Sequence, residues 1–254
     1  MQREISQAAT AIAIENLTKD YGDVRALDGL SLSISEAEVF GLLGPNGSGK
    51  TTTINCLTGI LKPTGGKVRV GGFDVQTQGS EAREIMGVSP QETAVYSYLT
   101  GKENVELFGR LYSVSKRTLG PRVDYVLEKV GLTDEAGRRV GKYSGGMKRR
   151  VSIAMALVTD PKIVLLDEPT VGMDPQARRS VWDFVLELRD NSKTVVLTTH
   201  YMEEADELCD EVGIIDHGKL IELGSPSDLK DKYHARDLED VFIQLTGRRI
   251  REGA

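Results

Sequence analysis

The segment 44–51 constrains this 254-residue chain more than any other part of its sequence. It reads Gly-Pro-Asn-Gly-Ser-Gly-Lys-Thr and directly follows the apolar run 39–43. Such a segment is typical of a phosphate-binding loop between a buried strand and a helix, because its glycines let backbone N–H groups turn inward around phosphates. Lys50 would bring positive charge to the outer phosphates, and the Thr51 hydroxyl can ligate Mg²⁺. A chance glycine turn before a helix is the alternative, but the strand, the spacing and the Lys-Thr pair together favour a nucleoside triphosphate site.

The composition excludes several other classes of protein. The formal net charge of −6 argues against a broad nucleic-acid-binding face, since neutralising many phosphates needs a basic surface. The sequence contains no apolar run of the ~18 residues that a membrane helix needs, and its N-terminus lacks the core of a signal peptide. Cys56 and Cys209 are too few and too far apart for a disulfide framework or a zinc cluster, so we expect a reducing, cytoplasmic location.

The hydrophobic pattern predicts an α/β fold with a P-loop NTPase core. Alternating segments in the first 38 residues indicate an N-terminal antiparallel β part, and near-continuous apolar strands separated by a helix indicate a mixed or parallel sheet. Residues from about 93 to 158 look mostly helical, as an inserted α-helical subdomain. We therefore expect one domain over 1–254, divided into a core at 10–91 and 159–225, a helical subdomain at about 92–158, and a tail at about 226–254.

A second group of polar residues follows two later apolar strands. Asp167 and Glu168 stand at the carboxyl end of the strand 163–166, where ligands bind in open α/β sheets. Asp167 is placed to hold Mg²⁺ directly or through water, and Glu168 to accept a proton from an attacking water. His200 ends the next strand at the same edge, and we expect it to contact the γ-phosphate. A solvated acidic turn and a structural histidine would be the ordinary interpretations of these residues alone.

The string Tyr-Ser-Gly-Gly-Met at 143–147 opens an amphipathic run. Ser144 is a good N-cap, and Gly145 and Gly146 permit close backbone approach, so this is a second helix N-terminus that can bind an anion. The same residues could simply cap a helix, but their position before Asp167 strengthens the functional interpretation.

These motifs together resemble the nucleotide-binding subunit of an ATP-binding cassette (ABC) transporter over nearly the whole chain. The family's adenine-stacking aromatic corresponds to Tyr21, its phosphate loop to 44–52 and its glutamine loop to Gln91. Its signature corresponds to 143–147 and its acidic strand end to Asp167 with Glu168. Its D-loop corresponds to 173–175 and its switch histidine to His200. The sequence departs from the commonest signature at Tyr143 and Met147, where the family usually has leucine and glutamine. Neither is the chief phosphate contact, so we expect altered packing or affinity with activity retained.

The resemblance implies that ATP and Mg²⁺ bind here, and that two such domains pair head to tail with two ATP molecules between them. The residues it assigns to ATP in one protomer are Tyr21, Gly44, Pro45, Asn46, Gly47, Ser48, Gly49, Lys50, Thr51 and Thr52. Those it assigns to the same ATP from the second protomer are Ser144, Gly145 and Gly146. It assigns catalysis to Lys50, Gln91, Glu168 and His200, and Mg²⁺ to Thr51, Gln91 and Asp167.

The strings at 143–150 and 170–175 and the tail at 238–242 resemble the drug and antibiotic exporter branch of the daunorubicin-resistance type. There the ATPase is a separate polypeptide beside a membrane subunit. The partners implied are a membrane-spanning transporter subunit and a second copy of this chain, with no nucleic acid, at the cytoplasmic face of the membrane. We expect Lys148, Arg149 and Arg150 to form a solvated or interface face. The tail could instead simply dock a terminal helix onto the core through Val241 and Phe242.

Three other functions use part of the same chemistry. The ATPase of an importer would share every catalytic motif and differ in transport direction. A soluble ABC protein of translation or DNA repair would usually carry two cassettes, a coiled coil or a zinc insertion, which this sequence lacks. A small-molecule kinase would have no reason to carry the Ser144 signature.

Overall fold

The computed structural model describes residues 9–247, which form two β-sheets packed with α-helices. The strands are β1 Thr10–Tyr21, β2 Val24–Ser35, β3 Val39–Leu43, β4 Gly65–Val70, β5 Phe73–Asp74, β6 Met86–Ser89, β7 Ile163–Asp167, β8 Thr194–Thr199, β9 Glu211–Asp216 and β10 Lys219–Gly224. The helices are α1 Lys50–Leu57, α2 Gly79–Glu84, α3 Gly101–Leu111, α4 Lys116–Lys129, α5 Gly145–Leu157, α6 Pro175–Asp190, α7 Met202–Leu208, α8 Pro226–Tyr233 and α9 Leu238–Thr246. This arrangement confirms the predicted α/β fold.

The N-terminal sheet has the strand order β2-β1-β4-β5 and is antiparallel throughout. Ile12 pairs with Ile34 and Ile14 with Leu32, and all four side chains are buried. Their neighbours in sequence point to the opposite face, as the alternating pattern of these segments predicted. The predicted antiparallel β part is therefore confirmed.

The second sheet has the order β10-β9-β3-β8-β7-β6, in which the neighbours from β9 to β6 are parallel and β10 is antiparallel to β9. It contains the strands predicted at 39–43, 163–166 and 194–198 and the hairpin predicted at 214–221. Strand β6 was not predicted, because its four residues carry too short an apolar pattern. It lies at the sheet edge, pairs with β7, and leads directly to Gln91.

Both faces of the parallel sheet are covered by apolar cores. Val39 and Leu43 of β3 face a core built with helices α3 to α7, whereas Phe40 and Leu42 face a core shared with α1 and the N-terminal sheet. Strand β7 divides its side chains in the same way. Burial on both faces therefore favours apolar residues along these strands, which explains their nearly continuous hydrophobic sequence up to Asp167 at the end of β7.

The parallel strands bring four loops to one edge of the sheet. Leu43 pairs with Thr199, and Asp167 pairs with Thr198, so the ends of β3, β7 and β8 are in register. The Gly44 N–H continues this pairing by donating to Thr199 O at 3.3 Å. The loops after β3, β6, β7 and β8 therefore leave the sheet side by side.

The segment from 93 to 158 is mainly helical, as predicted, and contains α3, α4 and α5. Helix α3 begins with a capping box, in which Thr100 accepts from Glu103 N–H and Glu103 accepts from Thr100 N–H. The chain before α3 is held by Asn104, which is fully buried and bonds to the backbone of Tyr96. None of the helices within 9–247 is long and apolar enough to cross a membrane.

The C-terminal tail packs onto the core through α9. Val241 and Phe242 are fully buried against α7 and α8, which confirms that a terminal helix docks there. The predicted tail interval 226–254 extends past this helix, and its residues 248–254 lie outside the described residues.

Replacing Phe242 with alanine should lower the free energy of unfolding by about 3 kcal/mol, because a fully buried aromatic ring would leave a cavity in the core. Urea unfolding followed by circular dichroism measures this loss. Glu239→Ala, an exposed change on the same helix, is the matched control and should alter stability by less than about 0.5 kcal/mol. Equal unfolding midpoints for the two variants would show that α9 contributes little to the core.

Candidate active site

The loop after β3 has a backbone that only glycine fits at three positions. Gly47 and Gly49 adopt φ values of 81° and 112°, in the left-handed region that side chains disfavour. A Cβ on Gly49 would lie 2.8 Å from Ala26 O, and one on Gly44 would lie 2.2 Å from Ile215 O. The loop is therefore folded tightly against the ends of β2 and β9, and its backbone curves around an open recess.

The recess lies at the N-terminus of α1, which suits an anion. Its N-cap Gly49 provides no side-chain hydrogen bond, and the first turn carries no acidic residue. The first N–H groups of the helix and its positive dipole end thus remain available to a ligand. Ser48 Oγ is buried beneath the loop and has no hydrogen-bond partner among residues 9–247. These features fit the phosphates of ATP.

Lys50 extends from the start of α1 back over the loop. Its Nζ donates to Gly44 O at 2.7 Å and to Pro45 O at 3.0 Å, and lies 3.8 Å from Glu168 Oε1. Burial lowers the pKa of Lys50, while the carboxylates of Glu168 and Asp167 oppose that shift. The ammonium group is therefore positioned between the loop and the acidic end of β7.

The acidic end of β7 is held by Thr198 on the neighbouring strand. The Thr198 hydroxyl donates to Asp167 Oδ1 and accepts the Glu168 N–H at 3.1 Å. Glu168 has a φ of 54°, a left-handed conformation that costs energy for a non-glycine residue and often occurs at functional sites. Sequence reasoning missed Thr198. The only signal was a hydroxyl at the end of the apolar run 195–197, on a strand predicted beside the one that carries both carboxylates.

A chain of polar contacts joins four of the predicted residues. His200 Nδ1 lies 3.1 Å from Glu168 Oε1, Gln91 Nε2 donates to Glu168 Oε2 at 3.3 Å, and Thr51 Oγ1 donates to Gln91 Oε1 at 3.4 Å. The hydrogen bond to His200 is the main cause that lowers the pKa of Glu168, and Lys50 adds to it. Glu168 is therefore an ionised carboxylate at neutral pH, with the acceptor capacity that a general base needs.

Oxygen donors for Mg²⁺ meet at the same place. Thr51 and Gln91 line the recess, with the Thr51 hydroxyl 3.4 Å from the Gln91 amide oxygen, and the Asp167 carboxylate is buried beside them at the end of β7. Within residues 9–247 no cluster of three His, Cys, Asp or Glu could hold a metal alone. The donor set thus fits Mg²⁺, which usually takes one or two protein oxygens and completes its shell with water and substrate phosphates.

Eight of the predicted residues line the recess, whereas Gly44, Pro45, Ser48, Asp167 and His200 lie behind this lining and Tyr21 and residues 144–146 lie elsewhere. The recess is lined by Ala26, Asn46, Gly47, Gly49, Lys50, Thr51, Thr52, Gln91 and Glu168. Tyr21 lies at the end of β1, 46% exposed, with Lys19 Nζ 5.1 Å from its ring centroid. Ser144 caps α5 by accepting the Met147 N–H at 3.2 Å and is exposed together with Gly145. Ala26, which sequence reasoning missed, carries no chemical signal beyond its place on β2.

The expectation of a solvated or interface face at 148–150 is wrong for Arg149, which is buried within the chain. This side chain is 4% exposed and donates to the carbonyl oxygens of Pro90, Gln91 and Asp167. Arg150 is half-buried and instead donates to the carbonyls of Val130 and Gly131. Sequence could not show this difference, because it depends on which face of α5 packs against β6 and β7.

Comparison with known proteins agrees with the geometry. The sequence profile described as "ABC transporter" matches residues 27–171, more than half of the chain. The chain is 44% identical over 241 residues to the daunorubicin resistance ATP-binding protein DrrA3 of Streptomyces coeruleorubidus, covering 95% of this chain and 76% of the relative. It is 40% identical over 232 residues to the Nod factor export ATP-binding protein I of Rhizobium sp. (strain N33), covering 91% of this chain and 76% of the relative.

Among solved structures, an ATP-binding cassette dimer in a post-hydrolysis state, bound to ADP and Pi, superposes with a TM-score of 0.77. It is 28% identical in sequence, and the match covers 84% of this chain and 98% of that one. The fold, the phosphate-binding loop and the ionised Glu168 beside it agree with that similarity. The chain therefore belongs to the ABC transporter family, as a subunit that binds and hydrolyses ATP.

Proposed function

We propose that this chain powers the export of a small molecule through ATP-driven, head-to-tail dimerisation. The observation that carries this proposal is that the site of one chain is only half complete. Lys50, Thr51, Gln91 and Glu168 line one recess, whereas Ser144 lies exposed at the start of α5 and outside the recess. A second protomer, turned head to tail, would bring its own Ser144 and the N-terminus of its α5 to the same ATP.

This arrangement gives ATP a mechanical role. The γ-phosphate would bridge two helix N-termini from different chains, α1 of one and α5 of the other, so ATP stabilises the closed dimer. Hydrolysis removes the bridge and allows the dimer to open. Tyr21, exposed at the end of β1, is available to stack on the adenine ring, and Pro45, Asn46, Ser48 and Thr52 complete the binding loop.

Within each site, the chain's own residues prepare hydrolysis. Glu168 accepts a proton from the attacking water, since its carboxylate is ionised. Gln91 orients that water from the other side of the same carboxylate, and His200 holds the carboxylate and contacts the γ-phosphate. Mg²⁺ held by Thr51, Gln91 and Asp167 would supply neutralisation of phosphate charge. Lys50 adds positive charge at the outer phosphates.

Each interval expected from the sequence would have its own role in this mechanism. The core at 10–91 and 159–225 would bind ATP, and the helical subdomain at about 92–158 would present Ser144 to the partner. The tail, from about residue 226, would support the core through α9. Closure of the dimer would then move the helical subdomain relative to a membrane partner.

A groove between the core and the helical subdomain suits a helix of that membrane partner. It is lined by side chains from α2, β6, α3 and α5, including Met86, Phe108 and Met155. Ile60 and Tyr112 stand at its rim, exposed by 69% and 57%. Tyr98, after the glutamine loop, is 89% exposed. The exposed Ile60 and Tyr112 beside an open groove give a partner helix an apolar surface to cover.

Export is the direction favoured by the relatives, because one is a drug resistance protein and another an export protein by name. The chain would then act at the cytoplasmic face of the membrane, attached to a membrane-spanning subunit and paired with a second copy of itself. An importer subunit would use the same site, and the nature of the co-purifying partner separates the two.

Glu168→Gln should bind ATP but hydrolyse it at least about 100-fold more slowly, because the proton acceptor is lost while the phosphate bridge remains. The variant should therefore elute as a dimer in ATP and as a monomer without it. Size-exclusion chromatography with light scattering and a phosphate-release assay measure both effects. Lys50→Ala is the control and should not dimerise, since it lacks the charge that holds the triphosphate. Hydrolysis at the wild-type rate by Glu168→Gln would remove this residue from the role of base.

Purification of the tagged chain from its native membranes in mild detergent should yield a membrane-spanning subunit in stoichiometric amount, identified by mass spectrometry. Ile60→Glu should reduce that yield at least about tenfold, because a buried charge at the groove costs several kcal/mol. Ile221→Glu, at a 39% exposed site on β10, is the matched control and should keep the partner. An extracytoplasmic binding protein in the complex would indicate an importer, and ribosomes or DNA-repair proteins in place of a membrane subunit would contradict a transport role.

A further inference from the structure

The side chain of Arg149 connects three segments of the active site. One guanidinium nitrogen donates to the carbonyl oxygens of Pro90 and Gln91, the latter at 3.2 Å, and the other donates to Asp167 O. These carbonyls belong to the loop after β6 and to the end of β7. Arg149 itself lies on α5, so a single buried side chain joins the two catalytic loops to the helix that carries Ser144 at its start.

The positions of these carbonyls matter for the catalytic residues. Pro90 O and Gln91 O belong to the peptide units on either side of Gln91, so their contacts with Arg149 fix the backbone from which the Gln91 side chain extends. Asp167 O belongs to the peptide unit whose N–H is that of Glu168. Thr198 accepts that N–H at 3.1 Å, so the peptide plane is held from both sides. Glu168 needs such support, because its φ of 54° is unfavourable.

A second buried contact ties α5 to the same loop. Ser152 Oγ lies 3.0 Å from Ser89 Oγ at the end of β6, and Ser152 follows Arg149 by three positions, on the same face of the helix. At the start of α5, Gly146 packs so closely on the following D-loop that a Cβ would lie 3.3 Å from Gly172 O. Helix α5 therefore contacts the segments that follow β6 and β7 at three positions, Gly146, Arg149 and Ser152.

The charge on Arg149 persists despite its burial. Burial lowers the pKa of its guanidinium to about 10, and the nearby carboxylates of Asp167, Glu168 and Glu204 oppose that shift. A protonated guanidinium presents several donors in a fixed plane, which suits carbonyls from two separate segments. A single ammonium group could not reach both segments with the same geometry.

We propose that Arg149 is a positioning residue for ATP hydrolysis, which holds the backbones of Gln91 and Glu168 and couples both to Ser144 through helix α5. The proposal rests on the catalytic roles proposed above for Gln91 and Glu168. It also connects the Ser144 segment of a chain to the catalytic residues of the same chain. Ser144 of each chain would contact the ATP bound to the partner chain. Arg149 lies five residues further along the same helix and would align the catalytic residues that act on its own chain's ATP.

The test compares Arg149 with Arg150, which is the matched control. Both arginines lie on α5 and donate to backbone carbonyls, but Arg150 reaches Val130 and Gly131, which lie outside the active site. The variants are Arg149→Gln, Arg149→Lys, Arg150→Gln and Arg150→Lys in the full-length chain. For each, kcat and KM for Mg·ATP, ATP affinity by fluorescence titration and the melting temperature are measured.

Arg149→Gln should lower kcat by about 30-fold or more, with KM and ATP affinity within about threefold of wild type, because misplaced catalytic groups slow the reaction without removing the binding loop. Arg149→Lys should recover part of the lost rate, since it keeps the charge but reaches fewer carbonyls. Both Arg150 variants should keep kcat within about twofold, even where their melting temperature falls.

Three results would overturn the proposal. They are a kcat near wild type in Arg149→Gln, a loss that appears in KM and ATP affinity alone, or equal losses in the Arg149 and Arg150 variants. If Arg149→Gln melts below the assay temperature, the kcat of Arg149→Lys is compared with that of Arg150→Lys, and the same three results would overturn the proposal.

The result for Arg149 as a positioning residue can be distinguished from the result for Glu168 as the base. Glu168→Gln, assayed beside these variants, reports on the base. If it is inactive while the Arg149 variants match their Arg150 controls, the positioning role alone is wrong. If it hydrolyses ATP normally, the assignment of the base is wrong, and the difference between the Arg149 and Arg150 variants still measures what Arg149 does for turnover.

Discussion

The parallel register of β3, β7 and β8 is the constraint on which the rest of the structure depends. Leu43 pairs with Thr199 and Asp167 with Thr198, so three strands that are far apart in sequence end at the same level. A parallel sheet can hold this register only because both faces are buried under separate cores. The phosphate-binding loop, the acidic pair and His200 meet because of that burial, and no short-range contact could assemble them.

Buried polar contacts then hold these loops in a defined geometry. Thr198 fixes the Asp167–Glu168 segment from one side, and Arg149 contacts it from the other. The Glu168 carboxylate receives His200 and Gln91 on its two oxygens and lies 3.8 Å from Lys50 Nζ. The charges of Lys50, Arg149 and Glu168 are buried, where an unpaired charge would be costly, so their mutual contacts stabilise this geometry.

The incompleteness of the site gives the protein its proposed mechanical behaviour. The recess offers one helix N-terminus to the phosphates, while the second, at Ser144, points to solvent on the same chain. In the proposed head-to-tail dimer, two chains would satisfy both needs at once, and ATP would become part of the interface. A rigid connection from Ser144 through α5 to the catalytic loops would make hydrolysis sensitive to the partner, which a coupled transporter requires.

The sequence by itself determined the phosphate-binding loop, the carboxylates and the strand pattern, because these depend on local chemistry. Glycines at 47 and 49 adopt backbone conformations that other residues disfavour, and position 44 has no room for a Cβ. Apolar strands with polar ends reveal the sheet edge. The fold class could be predicted on this basis, and the structure brings eight of the predicted site residues to one recess. Strand β6 could not be, since it is too short to leave a periodic pattern.

Only the tertiary structure decided the environment of residues whose chemistry is ambiguous in sequence. Arg149 and Arg150 are adjacent and identical in type, yet one is buried at the active site and the other bonds to a distant turn. Thr198 resembles any strand threonine until β8 pairs with β7. Their roles depend on which helix face and which strand neighbour they meet, and those neighbours are set by long-range packing.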